Sequence, residues 1–125
     1  MPVRGIGVDV VQIQRIVASL ERFGERFERR IFTDAELEYC RRHADPLPHL
    51  AARFAAKEAA SKAIGTGMSH GIGFKLFEVI QPGGHQPRLD FHGAAKERFD
   101  ALGCSGSHLS LTHDGGVAIA CVVLE

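Results

Sequence analysis

A carboxylate flanked by basic side chains marks the alanine-rich segment Phe54-Ala55-Ala56-Lys57-Glu58-Ala59-Ala60-Ser61-Lys62. At about 100° per residue of an α-helix, Glu58 and Lys62 lie on nearly the same face. Such a face could bind a metal–phosphate complex, with Glu58 on the ion and Lys62 and Arg53 on the phosphate oxygens. The alternative is an exposed helix, in which a Glu58–Lys62 pair contributes about a few tenths of a kcal/mol.

Asp9 is the second residue that invites explanation, because it interrupts the apolar run Gly7–Val11. Acidic residues are depleted in the interiors of β-strands. Asp9 therefore either caps the turn that follows or serves as a metal ligand at the end of a strand. Magnesium is usually held by one or two carboxylates, while phosphates and water complete its octahedron. Asp9 and Glu58 together would satisfy that requirement.

The third candidate is a strand near the C-terminus. Its alternation places His108, Ser110 and Thr112 on one face and leucines on the other. A face of hydroxyl groups and an imidazole suits phosphate, and a structural histidine is the alternative. A Ser/His/Asp triad cannot be argued here, because Ser110 is not on a nucleophile elbow. A Walker loop is excluded because Gly65-Thr66-Gly67 lacks the terminal Lys and Ser/Thr.

The segment after Asp9 carries separate apolar and basic stripes at helical spacing. The apolar stripe is Ile16, Leu20, Phe23 and Phe27, and the basic stripe is Arg15, Arg22, Arg26 and Arg29. Gly24 is expected to break this helix and to redirect Arg26, Arg29 and Arg30. The basic stripe is either a solvated surface or a docking face for an acidic partner, whose encounter opposite charges would accelerate.

The elements that must position these residues follow from periodicity and turn signals. Strands are predicted at Val3–Val11, Phe74–Ile80, Arg88–Phe91, Ser107–Thr112 and Val117–Leu124. Helices are predicted at Gln12–Phe23, Glu25–Arg30, Thr33–Arg42, Leu50–Ile64 and Gly93–Leu102. Turns are predicted at Pro82-Gly83-Gly84 with Pro87 and at Asp114-Gly115-Gly116. The mixed order predicts an α+β fold, a mainly antiparallel sheet packed with helices.

Length, charge and composition argue against a nucleic-acid-binding, membrane-spanning or secreted protein. The 125 residues fit one domain, 1–125, and 15 basic residues balance 15 acidic ones, so the total charge does not favour nucleic-acid binding. No apolar run approaches the roughly 20 residues that span a membrane. The first residues lack the pattern of a signal peptide, and three scattered cysteines without a CxxC pair indicate reduced thiols. We therefore expect a cytoplasmic protein.

Taken together, these segments resemble the holo-acyl-carrier-protein synthases, the small phosphopantetheinyl transferases. The resemblance spans nearly the whole chain in the family's order. It is carried by Gly5-Ile6-Gly7-Val8-Asp9-Val10-Val11 with Arg15, Arg26-Phe27, Arg30-Ile31-Phe32-Thr33, Arg53 through Lys62, Gly65-Thr66-Gly67 and His108 through His113. It departs in one turn, where Gly-Lys-Pro is common and this chain has His85-Gln86-Pro87.

The resemblance implies a magnesium-dependent transfer of phosphopantetheine from coenzyme A to a serine of apo acyl carrier protein, in support of fatty acid biosynthesis. The products would be holo carrier protein and adenosine 3′,5′-bisphosphate. It implies Asp9 and Glu58 as metal ligands, Glu58 and Lys62 as catalytic residues, and Arg53, Lys62 and His108 at coenzyme A. It also implies a homotrimer with active sites between subunits.

Under this resemblance, the basic stripe is a candidate docking surface for the partner, because acyl carrier proteins are acidic. We expect Arg15, Arg22, Arg26 and Arg30 to dock the carrier protein. Two other classes remain open at this point. One is a magnesium-dependent hydrolase of a phosphate ester that uses the same carboxylates. The other is a non-catalytic module in which the Glu58 helix is only an oligomer interface.

Overall fold

Segments rich in β-branched residues near the two ends of the chain form a sheet, and the alanine-rich middle forms the central helix. The computed structural model describes residues 2–83 and 85–125. The helices are Ile13–Phe23 (α1), Glu25–Ile31 (α2), Asp34–Arg41 (α3), Leu47–Ala63 (α4) and Gly93–Ala101 (α5). The strands are Gly5–Gln12 (β1), Phe77–Ile80 (β2), Arg88–Phe91 (β3), Ser107–Asp114 (β4) and Val117–Leu124 (β5).

The main sheet has the strand order β1-β5-β4, and each neighbouring pair is antiparallel. Strands β2 and β3 form a separate antiparallel hairpin. One face of the main sheet packs on α4 and buries Ala118, Ala120 and Val122. The opposite face, which we call the outer face, leaves apolar side chains of β1 and β5 exposed. The most exposed of these are Ile6, Val8, Val10 and Ile119.

Two glycines allow β1 to touch α4 at the main chain. A Cβ atom on Gly5 would overlap the carbonyl oxygen of Ala63, and one on Gly7 would overlap that of Ala59. Alternate residues of a strand face the same side. Asp9 therefore follows the two glycines on the face toward α4, and the close contact brings its carboxylate to the helix.

Helix α4 is buried on nearly every side, so the alternative of an exposed helix is wrong. Its Lys57 is fully buried and donates to Glu36 Oε1 at 2.7 Å, to the Phe77 carbonyl at 2.6 Å and to the Phe74 carbonyl at 3.3 Å. Glu36 also accepts from the main-chain N–H groups of Thr33 and Val79. Burial lowers the pKa of Lys57, and the Glu36 carboxylate opposes that decrease.

The predicted α+β class and antiparallel sheet are confirmed, as is the predicted break at Gly24. Helix α3 begins with a capping box, in which Thr33 Oγ1 accepts from the Glu36 N–H and Glu36 Oε1 accepts from the Thr33 N–H. The β4–β5 turn also forms, with positive φ at Gly115 and Gly116. Of the predicted turn before β3, Gly84 lies outside the described residues.

Four predicted boundaries are wrong by two residues or more, and one of them is the end of β4, which continues past Thr112 to Asp114. Residues Phe74–Leu76 form a 3-10 turn instead of strand, because β3 pairs only as far as Phe77 and Lys57 holds the Phe74 carbonyl. Strand β1 begins at Gly5 and not at Val3, since Gly5 pairs with Leu124 at the end of β5. Helix α4 begins three residues before the predicted Leu50, because Pro48 is tolerated in a first turn.

The cysteines carry free thiols. Cys40 is fully buried, and burial raises its pKa to about 11, whereas Cys104 and Cys121 are only partly buried. Among the described residues, no helix combines the length and the apolar character that crossing a membrane requires.

Removing the buried ammonium group should destabilise the fold strongly. Lys57→Met leaves the Glu36 carboxylate buried without its cation, and we expect the free energy of unfolding to fall by about 3–5 kcal/mol. Lys62→Met is the matched control on the same helix. Its side chain is 52% exposed and pairs at the surface, so we expect a change of at most about 1 kcal/mol. Urea denaturation measures both free energies of unfolding. Equal decreases in the two variants would contradict a special stabilising role for the buried Lys57–Glu36 pair.

Candidate functional site

The predicted residues Asp9, Glu58 and Lys62 come together where β1 crosses α4, and we call this group the Asp9 site. Lys62 Nζ donates to Asp9 Oδ1 at 3.0 Å and to the Val8 carbonyl at 3.1 Å. The ion pair therefore joins Lys62 to Asp9 and not to Glu58, which lies one turn away on the same helix face. Arg15 on α1 lies near this group, with its guanidinium carbon 5.5 Å from the Phe54 ring centroid.

The electrostatics of the Asp9 site fit a divalent cation. Burial and then the neighbouring Asp9 carboxylate raise the pKa of Glu58, while Lys62 and Arg15 oppose the increase. Two carboxylates that repel each other at a partly buried place offer hard oxygen ligands and excess negative charge. Magnesium accepts such a pair when phosphates and water supply its remaining ligands. Asp9 and Glu58 are the residues that would hold it.

Arg53 lies elsewhere, in a cleft of about 400 Å³ that we call the Arg53 pocket. The guanidinium is 1% exposed, stacks 4.1 Å above the Tyr39 ring and donates to Gln81 Oε1 at 3.0 Å. Its Nε has no hydrogen-bond partner among the described residues. Unpaired buried donors are costly, and an anionic ligand in this pocket would compensate the buried cation. His49, Gln86, Ser110 and His113 also line the pocket.

Within one chain, the predicted binding residues do not form one site. Arg53 and Glu58 are five residues apart on α4, so they point about 140° apart around the helix axis. His108 lies on the outer face, is 64% exposed, and has its Nε2 3.3 Å from Glu125 Oε1. The Arg53 pocket and the Asp9 site therefore lie on different sides of α4.

Two of the four predicted docking arginines, Arg26 and Arg30, border an apolar groove at the α1–α2 break. Phe23, Phe27, Ile31 and Phe74 line this groove, with the exposed Arg26 and Arg30 at its edge. Arg22 stacks on Phe23, with its guanidinium carbon 5.1 Å from the ring centroid. Arg15 belongs instead to the Asp9 site. We call the groove with Arg26 and Arg30 the α1–α2 groove.

Sequence reasoning missed several neighbours in these sites. Tyr39 and Gln81 reach the Arg53 pocket from α3 and from the segment after β2, and no local spacing links them to Arg53. His49 lies one turn before Arg53 on α4, so the i, i+4 spacing is the signal that could have found it. Phe74 reaches the α1–α2 groove from a segment that was predicted as strand. A further group of possible metal ligands, Glu78, Asp90 and His92, lies on and beside the β2–β3 hairpin. Thr33 and His92 already bond Glu78, so hydrogen bonding explains that group.

A family model, related sequences and solved structures all assign this chain to one family. The model of the 4′-phosphopantetheinyl transferase superfamily matches residues 5–122. A holo-[acyl-carrier-protein] synthase of Koribacter versatilis is 48% identical over 97% of each chain. The crystal structure of that enzyme from Neisseria meningitidis has a TM-score of 0.89, with 33% identity over 99% of each chain.

A second solved structure, the Helicobacter pylori holo-[acyl-carrier-protein] synthase in complex with coenzyme A, has a TM-score of 0.85 and 32% identity. The match covers 96% of this chain and 99% of that one. The matches extend through β1 and α4, which carry Asp9, Glu58 and Lys62. The chain therefore belongs to the 4′-phosphopantetheinyl transferase superfamily, among the holo-[acyl-carrier-protein] synthases.

Proposed function

We propose that this enzyme transfers phosphopantetheine from coenzyme A to a serine of apo acyl carrier protein in a magnesium-dependent reaction. The observation that carries the proposal is the Asp9 site, in which two carboxylates and Lys62 converge at a main-chain contact between β1 and α4. Such a group suits phosphoryl transfer, which depends on positioning and charge neutralisation more than on covalent help.

The roles of the site residues follow from their chemistry. The carrier serine oxygen bonds to the β-phosphorus of coenzyme A, and the bond from that phosphorus to the bridging oxygen breaks. The leaving group is adenosine 3′,5′-bisphosphate. Asp9 and Glu58 would hold magnesium, which would supply positive charge to neutralise phosphate oxygens. Lys62 donates to a phosphate oxygen, and Glu58 accepts the serine proton through a water molecule.

Coenzyme A bridges two copies of the chain in this proposal. Its nucleotide end occupies the Arg53 pocket of one copy, beside His108, and its reacting phosphate meets the Asp9 site of the next. The 140° separation on α4 supports this arrangement. The exposed apolar outer face supplies the surface for association, since large apolar patches mark interaction sites. We propose a closed homotrimer.

The α1–α2 groove is where we place the carrier protein. An apolar floor with two arginines at its edge fits an amphipathic acidic helix, which buries its apolar side and pairs its carboxylates. Arg15 and Arg22 extend the positive charge from the groove toward the Asp9 site. This groove favours a protein acceptor over a hydrolase, for which water would suffice. A cytoplasmic role in fatty acid biosynthesis is part of the same proposal.

Loss of either carboxylate of the Asp9 site should abolish transfer without unfolding the protein. We expect Asp9→Ala and Glu58→Ala to lose at least about 100-fold in kcat/KM, since each removes a metal ligand. Mass spectrometry of the carrier after incubation with coenzyme A and magnesium measures the transfer. Circular dichroism controls for folding, and near-wild-type turnover of either variant at saturating magnesium would disprove the metal assignment.

Charge reversal at the α1–α2 groove should weaken the binding of the carrier protein and leave the binding of coenzyme A unchanged. For the double variant Arg26→Glu with Arg30→Glu we expect the KM for the carrier to rise about tenfold, equivalent to about 1.4 kcal/mol. Raising the salt concentration should also reduce carrier binding more in the wild type than in the variant. The reason is that salt screens the attraction between the arginines and the acidic carrier, which acts over ~8 Å at physiological salt.

The matched control for the groove changes the net charge equally at another place. Arg88→Glu with Lys96→Glu alters exposed residues of β3 and α5 and should leave the KM for the carrier close to that of the wild type. An unchanged KM in the groove variant would mean that its arginines are only solvated. Equal changes in the groove and control variants would mean that only total charge matters.

Sharing of the active site between copies should appear as complementation between inactive variants. Glu58→Ala and His108→Ala are each expected to lose activity as pure oligomers. Random mixing of the two chains in a closed ring should restore both residues at about a quarter of the sites. We expect activity to return after the variants are co-refolded, with light scattering reporting a trimer. A fully active monomer, or a co-refolded trimer that stays inactive, would contradict the arrangement.

A further inference from the structure

A stack of aromatic and imidazole rings borders the Arg53 pocket. The His43 and His49 ring centroids lie 3.6 Å apart with planes tilted by 32°. Tyr39 meets the His49 ring edge-on at 6.3 Å, and His113 does so at 5.8 Å from β4. His43 Nδ1 donates to the Tyr39 carbonyl at 3.2 Å, which fixes its ring against α3. His49 is the member of the stacked pair that lines the pocket.

Several charged or titratable groups face His49 from the elements around it. They are Tyr39 of α3, His43 and Asp45 of the segment after α3, Arg53 of α4 and His113 of β4. Arg53 is the permanent cation among them, and Asp45 is the anion. The free pocket is therefore unfavourable to a second positive charge.

The ionisation of His49 follows from these surroundings. Burial lowers its pKa below the ordinary value, because a charged ring would lose hydration. Repulsion from His43, Arg53 and His113 adds to the decrease, while Asp45 opposes it. His49 is therefore neutral in the free protein at neutral pH, and the factors that keep it neutral would be offset by an anion beside Arg53.

We propose that His49, whose ring the stacked His43 positions, binds a phosphate group in the Arg53 pocket as an imidazolium, so that ligand binding takes up a proton. The unpartnered Nε of Arg53 supplies a fixed donor on the same pocket. A phosphate monoester carries up to two negative charges, which one guanidinium does not balance. The proposal rests on the proposed function for the identity of the ligand, adenosine 3′,5′-bisphosphate or the matching end of coenzyme A.

The linkage has a definite sign. A bound anion raises the pKa of His49, so affinity is gained as the pH falls through the pKa of the complex toward that of the free protein. Proton uptake changes the dissociation constant by at most about tenfold per pH unit for one site. The phosphate itself gains a proton near pH 6, and this opposing effect must be separated in the test.

The direct test is proton NMR of the His49 C2–H, assigned with His49→Phe. We expect its pKa to rise by at least about one unit when saturating adenosine 3′,5′-bisphosphate is added. Sulfate is the second probe, because it stays dianionic across this pH range. Binding of the bisphosphate without a rise in the pKa of His49 would overturn the inference and leave the proposed function standing.

Using both the bisphosphate and sulfate distinguishes a failure of the His49 proposal from a failure of the proposed function. If sulfate raises the pKa of His49 while the bisphosphate fails to bind, the pocket is an anion site and the proposed function fails. If neither probe binds, the inference is wrong. Calorimetry provides the affinity arm, in which the ratio of dissociation constants at pH 8 and pH 6 is compared between the wild type and His49→Phe.

In the affinity arm, the phenylalanine variant keeps an aromatic ring and removes only the titrating nitrogens. The titration of the ligand is common to both proteins and cancels in the comparison. We expect the wild type to gain at least about threefold in relative affinity on acidification. Equal ratios in a folded variant would contradict the uptake of a proton by His49.

Discussion

The buried contact between Lys57 and Glu36 is the interaction on which the rest of the structure depends. It joins the central helix to α3, and its remaining hydrogen bonds reach the start of β2 and the 3-10 turn before it. A buried ion pair is seldom the most stabilising choice, since desolvation offsets much of its attraction. Its effect here is geometric, because one ammonium group sets where three peripheral elements meet α4. Two of those elements contribute to the sites: α3 places Tyr39 in the Arg53 pocket, and the 3-10 turn places Phe74 in the α1–α2 groove.

On its other side, α4 is held by main-chain contact and not by side chains. The glycines of β1 leave room for the carbonyl groups of Ala59 and Ala63. The helix is therefore held on one side by the hydrogen bonds of Lys57 and on the other by the main chain of β1. The residues for chemistry lie at the borders of these two contacts. Asp9, Glu58 and Lys62 are at the glycine side, and Arg53 is at the side that packs on Tyr39 and Gln81.

Much of this arrangement could be predicted from the sequence, and the failures have a common cause. Alternation along β4, the helical alanines of α4 and the glycine turn before β5 are local signals, and the corresponding elements formed. The convergence of Asp9 with Glu58 followed from the family resemblance. The burial of Lys57 and Arg53 could not be predicted locally, because their compensating partners are 21 and 28 residues away. A charged residue on a helix looks the same in sequence whether its partner is water or a distant carboxylate.

The main-chain contact between β1 and α4 also limits how this enzyme could be redesigned. Because no side chains separate the two elements beside Gly5 and Gly7, repacking cannot widen or narrow the gap between Asp9 and Glu58. Only the lengths of the two acidic side chains remain adjustable. If the two carboxylates hold an ion as proposed, its fit would be changed by Asp9→Glu or Glu58→Asp, with the scaffold left unchanged.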